Sequence, residues 1–267
     1  KRGGKVDFKV NATPKDTAYA QNYVPITAAF TLNIIPLNVS VTEAPTASSI
    51  IYGQKLVDAA LTGGMAVDKK NPAITVAGHF EWAEPDKVPD AGSYSAKVKF
   101  VPNDQSYDIM TLESPVVVGV AKRDVHITPD AGQTKIYGDE DPEALTYTVA
   151  EGDLLDDGAA LTGALIREPG EDAGSYAIIN NDLSAGSNYS IVVEEESFTI
   201  VQKNVTVTAE AADRAYISGN VDAEVTLTIN GAIAEDDVKA TFESAVFEDD
   251  AVGIDKTVTV SGIALTG

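Results

Sequence analysis

The chain has 267 residues, 44% of them hydrophobic, with 19 basic against 41 acidic side chains, a formal net charge of −22 and no cysteine. That length allows two or three domains, each with a core. The acidity excludes nucleic acid as a partner and disfavours anionic bilayers, and the lack of thiols excludes disulfides, thiol catalysis and thiolate metal sites.

No apolar run approaches the ~20 residues that a spanning helix requires, so no membrane insertion is expected of this segment. Lys1, Arg2, Gly3 and Gly4 lead into no apolar signal core, so any export signal is expected outside it. Residues 1–38 read as the C-terminal fragment of a preceding β module. Thr13, Pro14, Lys15 and Asp16 parallel Val101, Pro102, Asn103 and Asp104, and in both places a tyrosine and a Val/Thr-rich strand follow. An apolar stretch at 32–41 then runs through Pro36 into a second module, 39–121.

Within 39–121, Ile51-Tyr52-Gly53 marks a turn, and 56–61 holds at most one helical turn before Gly63 and Gly64 close it. Phe80 and Trp82 alternate with Glu81 and so share one strand face, which predicts a core or subunit-contact role for the lone tryptophan. A carbohydrate platform is the alternative. Asp90-Ala91-Gly92-Ser93-Tyr94 has the form of a tyrosine corner, in which a tyrosine at a turn-to-strand step folds its hydroxyl onto the backbone. The glycine frees the turn and the aspartate is placed to bond following amides. An exposed, sugar-stacking Tyr94 is the competing reading.

The join at 116–127 passes through Lys122 and Arg123 into a third module, 122–202, where the landmarks return as Ile136-Tyr137-Gly138 and Asp172-Ala173-Gly174-Ser175-Tyr176. Tyr52 and Tyr137 lie 85 positions apart. Tyr189, Ile191 and Val193 alternate with Ser190 and Val192. After Lys203, a last module at 203–267 shows the plainest period-two alternation: Val205 and Val207 with Thr206 and Thr208, Val225, Leu227 and Ile229 with Thr226 and Thr228, and Val258 and Val260 with Thr257 and Thr259. Such strands bury one face. Its landmarks are degenerate: Ala215, Tyr216, Ile217, Ser218, Gly219, the tyrosine 79 positions after Tyr137, and Asp250, Ala251, Val252, Gly253. This module reads as truncated. Joins this short, with no Gly/Ser run, predict a semi-rigid, monomeric rod.

Acidic clusters at Asp139, Glu140, Asp141; Asp153, Asp156, Asp157; Glu235, Asp236, Asp237; and Glu248, Asp249, Asp250 invite calcium, which takes six to eight oxygens. No EF-hand spacing is present, and Lys122, Arg123 and Lys203 oppose a cation at the joins, so the clusters read as solvated turns. His79 and His126 are the only histidines. Neither falls in a nucleophile-elbow, zinc-protease or phosphate-loop motif. No catalytic, cofactor-binding or metal-binding residue is assigned, no cofactor is expected, and the chain reads as non-enzymatic.

These landmarks resemble the MBG and YDG repeat modules of large bacterial surface proteins. Residues 124–201 are similar to the Tyr-Gly-X type of MBG through Tyr137, Gly138, Asp139, Asp141, Pro142, Leu145, Thr146, Tyr147, Leu161, Thr162, Gly163, Ala164, Leu165, Arg167, Gly174, Tyr176, Asn188 and Tyr189. Residues 40–120 resemble a related repeat through Tyr52, Gly53, Gln54, Phe80, Trp82, Pro89, Ala91, Gly92, Tyr94 and Pro102. Residues 204–267 resemble a YDG module through Ile229, Asn230, Gly231, Asp236, Asp237, Val238, Val252, Gly253 and the run 256–262, departing from it where Tyr216 is followed by Ile217, Ser218 and Gly219. The resemblance implies an extracellular, bacterial cell-surface location and a stalk or adhesin role, with host or matrix glycans or glycoproteins engaged through other parts of the protein. A glycan- or mucin-binding array is the alternative. The fold expected is all-β: tandem immunoglobulin-like β-sandwich modules in an elongated array, with β-grasp-like modules as the alternative.

Overall fold

Short stretches of β-branched and aromatic residues, cut every few positions by Gly, Pro, Asp or Asn, are too brief for helices and become strands bounded by turns. The computed structural model describes residues 4–12, 15, 20–24 and 26–267. It is all-β, built from many small sheets. The helical turn expected at 56–61 is a single 3-10 turn, Leu56–Asp58. No helix among the described residues is long and apolar enough to cross a membrane. Thr13, Pro14 and Asp16, which carry part of the parallel with 101–104, lie outside the described residues, as do Lys1 to Gly3.

The chain divides into two compact units. The first comprises Lys1–His126, Ala150–Thr162 and Ser184–Val192. It opens with an antiparallel hairpin, Gly4–Ala12 against Ile26–Ile34, in which Phe8 faces Phe30 and Val6 faces Leu32. The repeat that follows, 39–121, has two three-stranded sheets. Gly78–Trp82, Val98–Pro102 and Met110–Thr111 form one; Ile50–Ile51, Val116–Ala121 and Gly92–Ala96 form the other. Both contribute to one buried cluster, with Val98 and Phe100 from the first and Val116, Val118 and Val120 from the second. Burial along Val116–Ala121 alternates strictly, as period two requires. The short strand Ile50–Ile51 lies parallel to the end of Val116–Ala121, so the repeat's beginning and end are hydrogen-bonded to each other.

The second unit comprises Ile127–Val149, Gly163–Leu183 and Val193–Gly267. Its largest sheet orders Thr134–Ile136, Ser197–Val201, Gly174–Asn180 and Leu165–Arg167. The parallel pair recurs as Thr134–Ile136 along Ser197–Val201. Phe198 and Ile200 on that last strand are at most 1% exposed. Residues 203–267 form three two-stranded sheets: Thr206–Ala211 with Val225–Asn230, Lys239–Thr241 with Ala264–Thr266, and Ser244–Phe247 with Val258–Ser261. The predicted alternation is present in Val225–Asn230 and Val258–Ser261, but the inward residues are only half-buried.

Candidate functional site: the tyrosine-glycine turns and the loops they meet

The sequence landmarks are three copies of one turn. Ile51, Ile136 and Ile217 each accept, through their carbonyl, the amide of the residue three positions on, Gln54, Asp139 and Asn220. The third residue of each turn is a glycine with positive φ: Gly53 at 95°, Gly138 at 85° and Gly219 at 73°. Only glycine takes that backbone without strain, which is why the glycine recurs. The alignment corrects one sequence assignment. Ser218, not Tyr216, holds the place of Tyr52 and Tyr137, and Tyr216 falls one residue before the isoleucine, where the other repeats have Ile50 and Lys135.

In the first unit, the Tyr52 hydroxyl donates to an Asp157 carboxylate oxygen at 2.7 Å. Tyr189 donates to the same oxygen at 2.7 Å, and the two rings meet edge to face with centroids 5.4 Å apart. Leu155 lies over Gly53 so closely that a β-carbon there would sit 2.6 Å from its methyl. Asn188 completes the contact, its Nδ2 donating to Asp90 and its Oδ1 accepting from the Ala91 amide. The turn and the first two residues of the Asp-Ala-Gly-Ser-Tyr motif thus belong to one joint between the repeat 39–121 and residues that follow it.

The second unit repeats the arrangement. The Tyr137 hydroxyl donates to Asp236 at 3.0 Å, and Ile233 covers Gly138, 2.1 Å from where a β-carbon would be. Asp157 and Asp236 each stand five residues after a glycine of positive φ, Gly152 and Gly231, with Leu154-Leu155 or Ile233 between. Beside this joint lies a cavity of about 380 Å³ lined by Asp172, Ala173, Ile233 and Val238.

Electrostatics favour the tyrosines as neutral donors. The hydrogen bond to Asp157, then burial, raises the Tyr52 phenol; the bond to Asp236, then burial, raises that of Tyr137; burial, then Asp157, raises that of Tyr189. The hydroxyl of Tyr189, the Ala159 amide and the hydroxyl of Tyr52 hold Asp157 below the usual carboxylate range.

Several of the other singled-out acids are also engaged. Asp141 and Glu171 surround Lys135 and Arg167, two cations whose side chains are nearly buried. Burial alone would raise Asp141, but hydrogen bonds from Lys135 and Arg167 outweigh it and hold it low. Asp153 accepts from both the amide and the ring of His126, and Arg123 bonds the carbonyls of Gly152 and Asp153. Asp249 pairs with Lys256, Asp237 with Lys239 and Asp139 with Lys203. Among the described residues no three acidic or histidine side chains converge as metal ligands would. His79, next to the exposed Glu81, lies in Gly78–Trp82.

Trp82 is 6% exposed and its indole N–H donates to the Ala59 carbonyl at 2.8 Å. Its burial overturns the carbohydrate-platform alternative. Phe80 packs on the same core, as does the half-buried Tyr94. Tyr176 makes the tyrosine corner outright, donating to the Asp172 carbonyl four residues upstream at 2.8 Å. Of the two motif glycines, Gly92 has positive φ and Gly174 does not. Asp90 turns to Asn188 across the joint.

The acidic clusters at 153–157 and 235–237, which read in the sequence as solvated turns, also supply the joints' acceptors Asp157 and Asp236. Their shared spacing of glycine, apolar residue and aspartate was the available signal. Residues 125–199 match the family model of the MBG domain (YGX type), and residues 201–267 match that of the YDG domain, so the chain carries one module of each. Domains of these two kinds are associated with cell-surface repeat proteins. No curated protein and no solved structure matches the chain.

Proposed function

We propose that this chain is a non-enzymatic spacer in an exported bacterial surface protein, a stalk or adhesin segment that holds other parts of the protein away from the cell envelope. The observation that carries the reading is the use of the repeated landmarks. Tyr52 with Gly53, and Tyr137 with Gly138, are spent on contacts to the module that follows, with Asp157 and Asp236 as acceptors. A joint with a directional hydrogen bond and an apolar cover resists bending, which a spacer requires and a ligand pocket does not. The net charge of −22 adds repulsion between neighbouring molecules and keeps them from adhering to one another.

The direct test is binding of the purified chain to an array of host glycans and mucins. A spacer gives no signal above an unrelated acidic protein, whereas saturable binding to one glycan class would replace this reading with the glycan- or mucin-binding one. Trp82 is not a candidate for that alternative. Among the described residues the exposed tyrosines it would call on are Tyr23, 64% exposed, and Tyr216, 59% exposed, and replacing both by Ala is the variant that would abolish such binding.

A further inference from the structure

The chain holds one Asn-Gly dipeptide, Asn230-Gly231, and one Asp-Gly dipeptide, Asp157-Gly158. Each falls in a loop that closes a joint. Before a glycine, the side-chain carbonyl of Asn or Asp is open to attack by the next backbone nitrogen, because the attack closes a five-membered ring and no β-carbon stands in the way. How firmly the side chain is held decides which of the two reacts.

Asp157 is held at both carboxylate oxygens. Oδ2 accepts from Tyr52 and Tyr189, each at 2.7 Å, and Oδ1 accepts from the Ala159 amide at 2.9 Å. These donors keep the group ionised, and an ionised carboxylate offers no leaving group for ring closure.

Asn230 is held weakly. It ends the strand Val225–Asn230 and is exposed, and its Nδ2 lies 3.4 Å from the Thr208 hydroxyl, beyond the usual length of a hydrogen bond. Directly after it, Gly231 has a φ of 91°, and a β-carbon there would meet the Asn204 carbonyl at 3.2 Å. The turn therefore requires the glycine that makes the dipeptide labile. It does not require the asparagine. In the matching loop of the first unit, Gly152, also of positive φ, follows Glu151, whose longer side chain would have to close a slower, six-membered ring.

We propose that Asn230 is a spontaneous deamidation site whose conversion loosens the joint between Tyr137-Gly138 and the loop 231–237. The Gly231 nitrogen bonds to Cγ of Asn230, its proton passes to water, and Nδ2 leaves as ammonia, which gives a succinimide. One water then opens the ring. Addition at Cγ yields aspartate, and addition at the main-chain carbonyl yields isoaspartate, in which the chain runs on through Cβ and Cγ. The net change is one water consumed and one ammonia released, with no oxidant and no cofactor. Isoaspartate lengthens the backbone by one methylene where the strand passes into the loop. That loop carries Ile233, which covers Gly138, and Asp236, which accepts from Tyr137, so the added length shifts both away from the turn they meet.

The test ages the full chain at neutral pH and body temperature, beside the same chain unfolded in urea, and maps both by mass spectrometry with isoaspartate separated from aspartate. In the folded chain, residue 230 is expected to convert, isoaspartate exceeding aspartate, while Asp157 stays unchanged; in urea, Asp157 isomerises as well. Hydrogen exchange at 233–237 of the aged chain quickens by roughly tenfold, and Asn230→Gln, aged alongside, keeps its original exchange rates. Freshly purified Asn230→Asp, with the charge but not the added methylene, exchanges as the unaged chain does. An amide at 230 that outlasts its conversion in urea many times over overturns the proposal. So does isomerisation of Asp157 as fast in the folded chain as in urea, since the hold on the side chain would then decide nothing. Isoaspartate at 230 with unchanged exchange at 233–237 overturns the effect on the joint, and fast exchange in fresh Asn230→Asp overturns the backbone cause.

Discussion

At the scale of single residues, the joints rest on glycines that no other residue replaces without strain. Gly53 and Gly138 combine positive φ with an apolar side chain lying directly over them. Gly138→Ala is expected to cost about 1–2 kcal/mol, the range for an L-residue forced into that conformation, with the loss read as a lowered midpoint in urea. Trp82 tests the other half of the residue-level account, being both packed and hydrogen-bonded. Trp82→Ala is expected to cost about 3–5 kcal/mol, as for large aromatic deletions in cores, and near-UV circular dichroism of the variant should show the tertiary signal lost first. Trp82 and the Tyr-Gly pairs were legible in the sequence because alternation and repetition mark them. Asn188 was legible only as a family match, since its role depends on meeting Asp90 from 98 positions away.

At the scale of elements, the strands were legible and their pairing was not. Period-two alternation predicted Val225–Asn230 and Val258–Ser261 within a residue or two, because side-chain direction along a strand is a local property. The parallel pairing of Ile50–Ile51 with Val116–Ala121 joins residues about 70 positions apart, which nothing local encodes. The cluster of Lys135, Asp141, Arg167 and Glu171 likewise assembles from separate segments, with Arg167 also lying 5.3 Å from the centroid of the Tyr176 ring. Because Asp141 and Glu171 stay partly exposed, screening limits their contribution. Arg167→Leu is expected to cost about 2 kcal/mol, and Lys at the same position should rescue it only in part, because an ammonium cannot reproduce the guanidinium fork. The hairpin Gly4–Ala12 with Ile26–Ile34 leaves Phe8 48% and Phe30 57% exposed. Two strands alone make a weak unit, so its amides should exchange fastest among the sheets.

At the scale of the whole molecule, charge and pH set the limits. Asp153, Asp157 and Glu171 have carboxyl pKa values lowered by their partners in the folded state. Their contribution is present above the unfolded carboxyl pKa of about 4 and is lost as pH falls through the folded values. Tyr52, Tyr137 and Tyr189 are raised instead. Their contribution is full below about pH 10, the unfolded tyrosine value, and is lost as pH rises through the folded ones. The melting midpoint should therefore hold between about pH 5 and 9 and fall on either side. Tyr137→Phe should flatten the alkaline fall, and an alkaline limb that stays as steep would separate the joints from stability. If the acidic clusters act as solvated turns, a chelator leaves the midpoint unchanged, and a drop of several degrees would restore calcium as a structural element.

The sequence by itself determined that this is an all-β chain of repeated modules bearing MBG and YDG signatures. Alternation, turn chemistry and repetition are written within a few residues of where they act. Tertiary structure alone decided that the Tyr-Gly turns close joints and that Tyr216 is not the third turn tyrosine. Each of these depends on which distant segment lies alongside, and that is settled by packing and hydrogen bonding across tens of residues.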